Sequence, residues 1–373
     1  MLIIDGDGHF VEPADIWDTC ADARHRAAIK DTMAVLLTRL GPLPKNTSPL
    51  KSGGLSSAGD KHDERDPAGW DGKLRLQMHD REGIHAAVLF PTLSLTAGAI
   101  ENPEVALATA QAVNRWAAEH YAAAAPKELY VVATLPTQFP DLAAQELRRC
   151  VKEYGFVAGG IRPNPTVDGR LMVDPGNEII WATAADLDVP MCIHNAFYTD
   201  RPQLGTDRVR QFLAGHAAIH PLESMMAFAA LYETGVFDRH RGLRFGFMEA
   251  ACGWAPFWLE RLDEHYEHLA WANDPVPARK ASDVFREQCI IGCEGEEHMV
   301  PYVQDMFGQD KVVWATDYPH FDTHPPFTAD MLGRGDMSDA QKAAVMGGAA
   351  VGFYRLDVDA IRASRRARGA ATD

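Results

Sequence analysis

Eight short apolar segments recur along the chain, and each is five to seven residues long. Their apolar residues are continuous and do not alternate with polar ones, which is typical of parallel strands that are covered on both faces. The segments lie at residues 2–7, 86–90, 130–135, 157–161, 189–194, 243–249, 287–292 and 312–316.

Helical patterns separate most of these segments. One begins with Pro103 after Asn102 and another ends at Gly155, and both are ordinary helix boundaries. The predicted helices lie at residues 103–125, 140–155, 177–188, 221–235, 254–272, 296–308 and 339–354. This alternation favours an α/β fold, the (β/α)8 TIM barrel. An open, doubly wound sheet is the alternative, but it would need a glycine-rich dinucleotide turn after the first strand, and GDGHF is not one.

Two segments fall outside the alternation. Residues 41–69 are rich in Pro, Gly and Ser and follow the first strand, where so long a loop is either a lid over the active site or a mobile insertion. The last residues, 356–373, are predicted to form a solvated C-terminal tail. The sequence therefore predicts a single barrel domain over residues 1–355, with a flexible insertion or lid at 41–69.

Acidic and histidine side chains end four of the predicted strands. They are Asp7, His9, His194, Glu249 and Asp317. Because Asp7 and His9 are two residues apart, they lie on the same face of an extended strand. The carboxyl ends of barrel strands meet at one face of the molecule, which is where barrel active sites lie. We therefore expect these side chains to form a single site.

Each of these residues also has an ordinary structural explanation. His194 would be a core histidine bonded to a backbone carbonyl, Glu249 would pair with an arginine, and Asp317 would cap a turn. Their occurrence together at equivalent strand ends favours a metal site. Imidazoles with carboxylates suit Zn²⁺, Mn²⁺ or Fe²⁺. Such an ion activates bound water or polarises a substrate oxygen, and Asp317 would then carry a proton.

Other residues near these strand ends are candidates for contact with a substrate. Arg162, after the fourth strand, would bind a substrate carboxylate or form a structural ion pair. His220 precedes the helix predicted at 221–235, and it would face the barrel mouth as a catalytic group or cap that helix. His320 is expected to contact substrate or support the ligands, and direct metal binding is the less favoured alternative. Phe10 and Trp254 would form an apolar wall or belong to the core.

The composition narrows the range of partners. The 373 residues carry a net charge of −16, with 46% hydrophobic and 24% charged residues. This acidic balance disfavours nucleic acid and anionic membranes and leaves a small-molecule substrate as the expected partner. The six cysteines are scattered and are predicted to be reduced thiols. Since there is no basic leader and no apolar stretch long enough to span a bilayer, we expect a cytoplasmic protein.

The chain resembles the amidohydrolase superfamily, in the amidohydrolase-related branch that includes aminocarboxymuconate semialdehyde decarboxylase and the resorcylate and carboxyvanillate decarboxylases. The resemblance runs from about residue 2 to residue 355 and includes the strand-end motifs. It also includes the stretches DREGIHAAVLFPT (80–92), VNRWAAEHY (113–121), LPTQFPDLAAQELRR (135–149), WLERLDEHY (258–266) and ATDYPHFD (315–322). Together these stretches are specific to the family.

The resemblance implies a ligand set. The family's first-strand His-x-His is represented by Asp7 and His9, and its fifth-strand histidine ligand by His194. Asp317 matches the eighth-strand aspartate, which is both a ligand and a proton shuttle. Glu249 departs from the family, because it stands where relatives carry a sixth-strand histidine, and it would serve as a catalytic base or as an extra ligand. The fourth strand also lacks the carbamylated lysine of two-metal members, so one metal ion is expected.

The resemblance also implies the function. The favoured hypothesis is metal-dependent, non-oxidative decarboxylation of a small carboxylated substrate, aromatic or enol-like. Hydrolysis of an amide, lactone or related bond by a metal hydroxide is the second hypothesis. The third is a non-catalytic, metal-binding barrel. A homodimer is the expected assembly by family habit.

Overall fold

Eight parallel strands form one sheet whose order follows the chain. The computed structural model describes residues 1–38, 67–196, 203–209, 211–320, 323 and 325–372. The strands are β1 (Ile4–Phe10), β2 (Ala86–Pro91), β3 (Leu129–Ala133), β4 (Ala158–Ile161), β5 (Met191–His194), β6 (Phe245–Met248), β7 (Cys289–Cys293) and β8 (Val312–Trp314). The predicted (β/α)8 barrel is confirmed.

Helices lie between the strands and after them. In the described residues they are α1 (Ile16–Thr19), α2 (Arg26–Thr38), α3 (Gly72–Glu82), α4 (Pro103–Trp116), α5 (Pro140–Arg149), α6 (Glu178–Leu187), α7 (Phe212–Glu233), α8 (Val236–Arg239), α9 (Trp254–Leu269), α10 (Ala281–Gln288), α11 (Val300–Phe307), α12 (Ala329–Gly333), α13 (Asp339–Ala343), α14 (Ala349–Tyr354) and α15 (Val358–Ala367). Within that part of the chain, none is long and apolar enough to cross a membrane. Residues 41–66 of the predicted insertion or lid at 41–69 lie outside the described residues.

Two apolar cores stabilise the barrel. The outer core lies between the strands and the surrounding helices. The inner core fills the barrel, and α14 contributes Phe353 and Tyr354 to it. The hydroxyl of Tyr354 donates a hydrogen bond to the carbonyl oxygen of Gly6 at 3.0 Å. Because successive strand side chains point to opposite faces, each strand supplies residues to both cores.

The helix after β5 begins earlier than the sequence predicted. We expected a helix to begin at Pro221, but α7 begins at Phe212 and contains this proline. Proline is common at helix starts because it lacks the N–H that a first turn leaves unpaired. Here the buried residues of a longer helix, among them Ile219 and Phe228, offset the lost hydrogen bond. His220 therefore lies inside a helix and does not cap one.

The end of the chain is also more ordered than expected. Residues Val358–Ala367 form α15, in which Ile361 and Arg365 are buried. The Nε of Arg368 donates to the carboxylate of buried Glu128 at 2.9 Å. The prediction of a solvated tail is therefore corrected for this helix. The side chains of Ile361 and Arg365 pack against the barrel near the amino ends of the strands.

The barrel closes between β8 and β1 through the side chain of Asp5. Among the described residues, the strand pairs run from β1–β2 to β7–β8, and no ladder joins β8 to β1. Instead, Thr316 donates its backbone N–H and its hydroxyl to Asp5, at 3.0 and 2.7 Å. One step further along, the N–H of Asp317 donates to the carbonyl of Asp7 at 3.0 Å. We call these contacts between β1 and β8 the seam. They align the carboxyl ends of the two strands.

A buried arginine from α3 holds the seam. Arg75 donates to the carbonyls of His9 and Tyr318, at 3.1 and 3.2 Å, and to the carboxylate of Asp5 at 3.4 Å. Burial raises the pKa of Asp5, and the guanidinium of Arg75 opposes that rise. A Cβ atom at Gly8 would lie 2.5 Å from Nη2 of Arg75, so the DGDGH sequence needs glycine there.

Replacing Arg75 with Met should strongly destabilise the protein. The change removes the positive charge beside the buried Asp5, and removing one partner of a buried ion pair costs about 3–5 kcal/mol. We expect a corresponding fall in the midpoint of urea unfolding. Arg261→Met is the matched control, because Arg261 is half exposed and pairs with exposed Glu264. Equal midpoints for the two variants would contradict the role of the seam.

A histidine beside Arg75 makes stability depend on pH. His79 is fully buried, and its Nε2 accepts a hydrogen bond from Nε of Arg75 at 2.9 Å. Burial, and then the charge of Arg75, hold the pKa of His79 well below its usual range. The folded chain therefore keeps His79 neutral, whereas the unfolded chain protonates it below about pH 6.5.

We expect the free energy of unfolding to fall as the pH is lowered from about 7 to 5, because the unfolded state then binds the additional proton. One such group contributes about 1.4 kcal/mol for each pH unit below its unfolded pKa. The variant His79→Gln keeps an acceptor for Arg75 but cannot be protonated. Its free energy of unfolding should therefore fall less than that of the wild type as the pH is lowered, by up to about 1.4 kcal/mol for each pH unit, as measured by urea unfolding at each pH. His268→Gln, an exposed position on α9, is the control. Identical pH profiles for the wild type and His79→Gln would overturn this prediction.

Candidate metal centre

Two imidazole nitrogens face each other at the mouth of the barrel. Nδ1 of His9 lies 2.9 Å from the carbonyl oxygen of Pro91, and Nδ1 of His194 lies 2.7 Å from that of Asn195. A carbonyl only accepts hydrogen bonds, so both Nδ1 atoms carry the hydrogen in the neutral rings. Both Nε2 atoms then carry lone pairs, yet they lie 3.2 Å apart. Two lone pairs at this distance repel each other unless a cation is present.

Asp7 adds a carboxylate to this pair. It is 1% exposed, and neither of its oxygens accepts a hydrogen bond from the described part of the chain. Its Oδ1 lies 3.5 Å from Nε2 of His194 and 3.7 Å from Nε2 of His9. A buried carboxylate without donors is costly, so this position favours a cation.

Glu249 and Asp317 complete the ring of donors. Oε2 of Glu249 lies 3.2 Å from Nε2 of His194, and Oδ1 of Asp317 lies 3.3 Å from Nε2 of His9. Both acidic residues have left-handed backbones, with φ angles of 46° and 52°. This conformation costs a residue other than glycine about 1–2 kcal/mol, and such strain is typical of functional sites.

The donors fit a divalent transition-metal ion. Two overlapping groups place their ligand atoms within 4.8 Å of one another: Asp7, His9 and His194, and His9, Glu249, Asp317 and His320. Imidazole nitrogen with carboxylate oxygen is the donor set of Zn²⁺, Mn²⁺ and Fe²⁺ sites. The structure therefore brings together the five strand-end residues that the sequence pointed to.

The electrostatic environment keeps two of the histidines neutral. Burial lowers the pKa of His9 well below its usual range, and the neighbouring His320 and His194 lower it further. Burial also lowers the pKa of His220, and then His216 and His194 add to the effect. Neutral imidazole is the form that binds metals.

His320 links Asp317 to Thr92. Nδ1 of His320 lies 2.7 Å from Oδ1 of Asp317, and its Nε2 lies 3.4 Å from Oγ1 of Thr92. The Thr92 hydroxyl donates its hydrogen to the carbonyl of Phe10 at 2.9 Å, so only its oxygen lone pairs face the ring of His320. His320 thus lies between Asp317 and the Thr92 hydroxyl.

A small cleft of about 40 Å³ lies at the ends of β2, β3 and β4. Phe90 and Arg162 are among its lining residues, and the ring of Phe90 lies 4.9 Å from that of His194. Nη2 of Arg162 donates to the side chain of Asn164 at 2.5 Å and to the carbonyl of Ala196 at 3.3 Å. Arg162 thus lies on the wall of a cleft that shares Phe90 with the surroundings of His194.

Two residues expected to form an apolar wall lie elsewhere. Phe10 is fully buried in the outer core, with its ring 5.6 Å from that of Trp116, because it points to the face of β1 opposite the ligands. Trp254 also belongs to the outer core and packs edge-on against Phe247 at 5.8 Å. The expectation of an apolar wall is therefore corrected, since both residues belong to the core. The aromatic residue beside His194 is Phe90.

Three residues near the centre were missed by the sequence analysis. Arg75 shares the buried stripe of α3 with His79, four residues later, and a charged residue on such a stripe is a usable signal. His216 is four residues before His220, but the predicted helix began too late to include the pair. Thr92 carries no local signal, because only the fold brings it to the centre.

The chain matches known proteins over most of its length. The family described as amidohydrolase matches residues 4–356. Gamma-resorcylate decarboxylase of Rhodococcus jostii (strain RHA1) is 30% identical over 304 residues, which cover 76% of this chain and 87% of the relative. The 2-amino-3-carboxymuconate-6-semialdehyde decarboxylase of Dictyostelium discoideum is 26% identical over 298 residues, which cover 77% of each chain.

A solved structure shows the same fold. Dihydroxybenzoic acid decarboxylase from Polaromonas sp. JS666, solved with bound manganese and the inhibitor 2-nitroresorcinol, superposes with a TM-score of 0.68. Its sequence is 22% identical, and the match covers 95% of this chain and 97% of that one.

Proposed function

The chain belongs to the amidohydrolase family, and from this premise we propose that it is a metal-dependent enzyme that removes carbon dioxide from a small aromatic carboxylic acid. The relatives named above are decarboxylases, and they support this class of reaction. The observation that carries the proposal is the close pair of Asp317 and His320 beside the facing imidazoles. The substrate class we propose is a benzoate with a hydroxyl group next to its carboxylate.

We propose that a divalent cation is held by four ligands, Asp7, His9, His194 and Asp317. Their two imidazole nitrogens and their carboxylate oxygens suit Zn²⁺, Mn²⁺ or Fe²⁺, and the share of oxygen donors favours Mn²⁺. When bound, such an ion supplies the positive charge that stabilises the carboxylate and hydroxyl oxygens of the substrate. Two observations support this assignment: the opposed lone pairs of His9 and His194, and a buried Asp7 that accepts no hydrogen bond from the described residues.

The contact between Asp317 and His320 supports an acid role. Nδ1 of His320 lies 2.7 Å from Oδ1 of Asp317, so a proton can pass directly between the two groups. We propose that a proton on this pair serves as the acid. A proton held at the metal centre is what an acid catalyst of decarboxylation needs.

The proposed reaction transfers this proton to carbon. Asp317 protonates the ring carbon that bears the carboxylate. The bond between that carbon and the carboxylate then breaks, its electron pair restores the aromatic ring, and carbon dioxide leaves. The pair regains a proton from solvent through His320. Because no water is split, the reaction does not require a sixth-strand base, and Glu249 is free to serve as a ligand.

Chelator-treated protein reloaded with Mn²⁺ or Zn²⁺ should release carbon dioxide from 2,6-dihydroxybenzoate or a related hydroxybenzoate. In heavy water the product should carry deuterium at the carbon that lost the carboxylate. Asp317→Asn should reduce kcat by about 10²–10⁴-fold, the contribution of a general acid. The measurements are headspace carbon dioxide and mass spectrometry of the product.

The control for this experiment is Asp310→Asn, an exposed carboxylate just before β8, which should leave kcat unchanged. An amine or ring-opened acid, without carbon dioxide, would instead support the hydrolase hypothesis. Full turnover by Asp317→Asn or by the metal-free protein would refute the proposed mechanism.

We also propose that Arg162 binds a second anionic group of the substrate. Charge-assisted hydrogen bonds contribute about 1.5–3 kcal/mol, so Arg162→Met should raise KM by about tenfold or more for doubly charged substrates. KM for singly charged substrates and kcat should change little. Arg170→Met, in the loop after β4 and paired with Asp168, is the control. A general loss of kcat would show that Arg162 is structural.

The cellular setting remains part of the proposal. All six cysteines are buried free thiols, which supports a reducing, cytoplasmic compartment. The homodimer and the exclusion of nucleic acid and membrane partners stay predictions.

A further inference from the structure

A second group of metal-binding side chains lies beside the first. His216, His220 and Glu249 each offer one ligand atom, and these atoms lie within 4.8 Å of one another. The two histidines are four residues apart on α7, so they lie on the same face of the helix, and their ring centroids are 4.9 Å apart. We propose that this group binds a second divalent cation and that Glu249 bridges it to the first.

His220 is the residue that requires an explanation. It is 5% exposed, and neither of its ring nitrogens makes a well-formed hydrogen bond within the described part of the chain, where its polar neighbour is Glu249. A core histidine would bond to a backbone carbonyl, as His9 and His194 do through Nδ1. A buried polar group without partners costs about 1–3 kcal/mol, and a bound ion removes that cost.

Glu249 is placed between the two groups. Its Oε2 lies 3.2 Å from Nε2 of His194, which belongs to the first centre, and its Oε1 lies 3.6 Å from Nδ1 of His220. Its left-handed backbone at the end of β6 holds the carboxylate in this position. Because the two oxygens face different groups of ligands, one carboxylate can bind both cations.

The donor set indicates the class of cation. Two imidazoles and one carboxylate are ligands for Zn²⁺ and for the neighbouring transition metals, and they are poor ligands for Ca²⁺ or Mg²⁺. Three protein ligands also leave an open coordination position, as in catalytic zinc sites. The site does not use the fourth-strand lysine of two-metal relatives, and it goes beyond the proposed decarboxylation, which needs one ion.

The second cation changes the chemistry available to Glu249. A carboxylate that binds two cations is held in its charged form and does not accept a proton from water. A pair of cations also binds both oxygens of a substrate carboxylate or of an adjacent oxygen pair, as two-metal sites do in other enzymes. The second site therefore keeps the carboxylate of Glu249, after the sixth strand, in its deprotonated form.

The test is the number of zinc ions bound for each chain. Metal-free protein would be dialysed against Zn²⁺, and bound zinc would be measured by mass spectrometry of the element. We expect two ions for the wild type and one for His216→Gln or His220→Gln. His268→Gln, an exposed histidine on α9, is the control and should bind two.

A separate variant distinguishes this proposal from the first centre. The double variant Asp7→Asn, His9→Gln should lose the first ion and keep the second, which would show that the second site binds independently. In the wild type loaded with Mn²⁺, the bridge should couple the two ions and reduce the isolated six-line electron paramagnetic resonance signal. One ion in the wild type, or two in a correctly folded His216→Gln, would overturn the proposal, and no bound ion would overturn both centres.

Discussion

The buried contact of Asp5 with Thr316 and Arg75 is the constraint on which the site depends. The first seven strand pairs are held by ladders, whereas the last junction combines these side chains with isolated backbone hydrogen bonds. Ligands lie on both sides of that junction, since Asp7 belongs to β1 and Asp317 follows β8. The distance between the two carboxylates is therefore set by the seam. A change in Arg75 would act on the metal centre without contacting it, through the backbone that carries the ligands.

The centre is costly to the folded chain until a cation binds. The lone pairs of His9 and His194 face each other, and the buried carboxylate of Asp7 accepts no hydrogen bond from the described residues. Glu249 and Asp317 also have left-handed backbones. The packed barrel offsets these costs, because a rigid scaffold can hold a few strained residues. A cation that binds only the folded state then adds its binding free energy to stability. The proposed metal binding would therefore couple metal affinity to fold stability.

The fold was predictable because continuous apolar runs mark buried parallel strands, and the strand ends followed directly from those runs. Asp7, His9, His194, Glu249 and Asp317 could therefore be placed together before any coordinates. Other features required tertiary information. Proline is a local signal for a helix start, yet α7 continues through Pro221 because its buried face packs along its length. The direction of Phe10 depends on which face of β1 carries the ligands, and aromatic character alone does not reveal it.

Glu249 now has a more definite meaning than a departure from a family pattern. A neutral histidine at this position offers one lone pair, so it binds one metal ion or accepts one proton. A carboxylate offers two oxygens, and here those oxygens lie near His194 and His220, which belong to different groups of ligands. A carboxylate at this position can therefore contact two groups of ligands at once. The adjacent pair of histidines on α7 supplies the ligands that a second cation needs, so the substitution and the helix are best explained together.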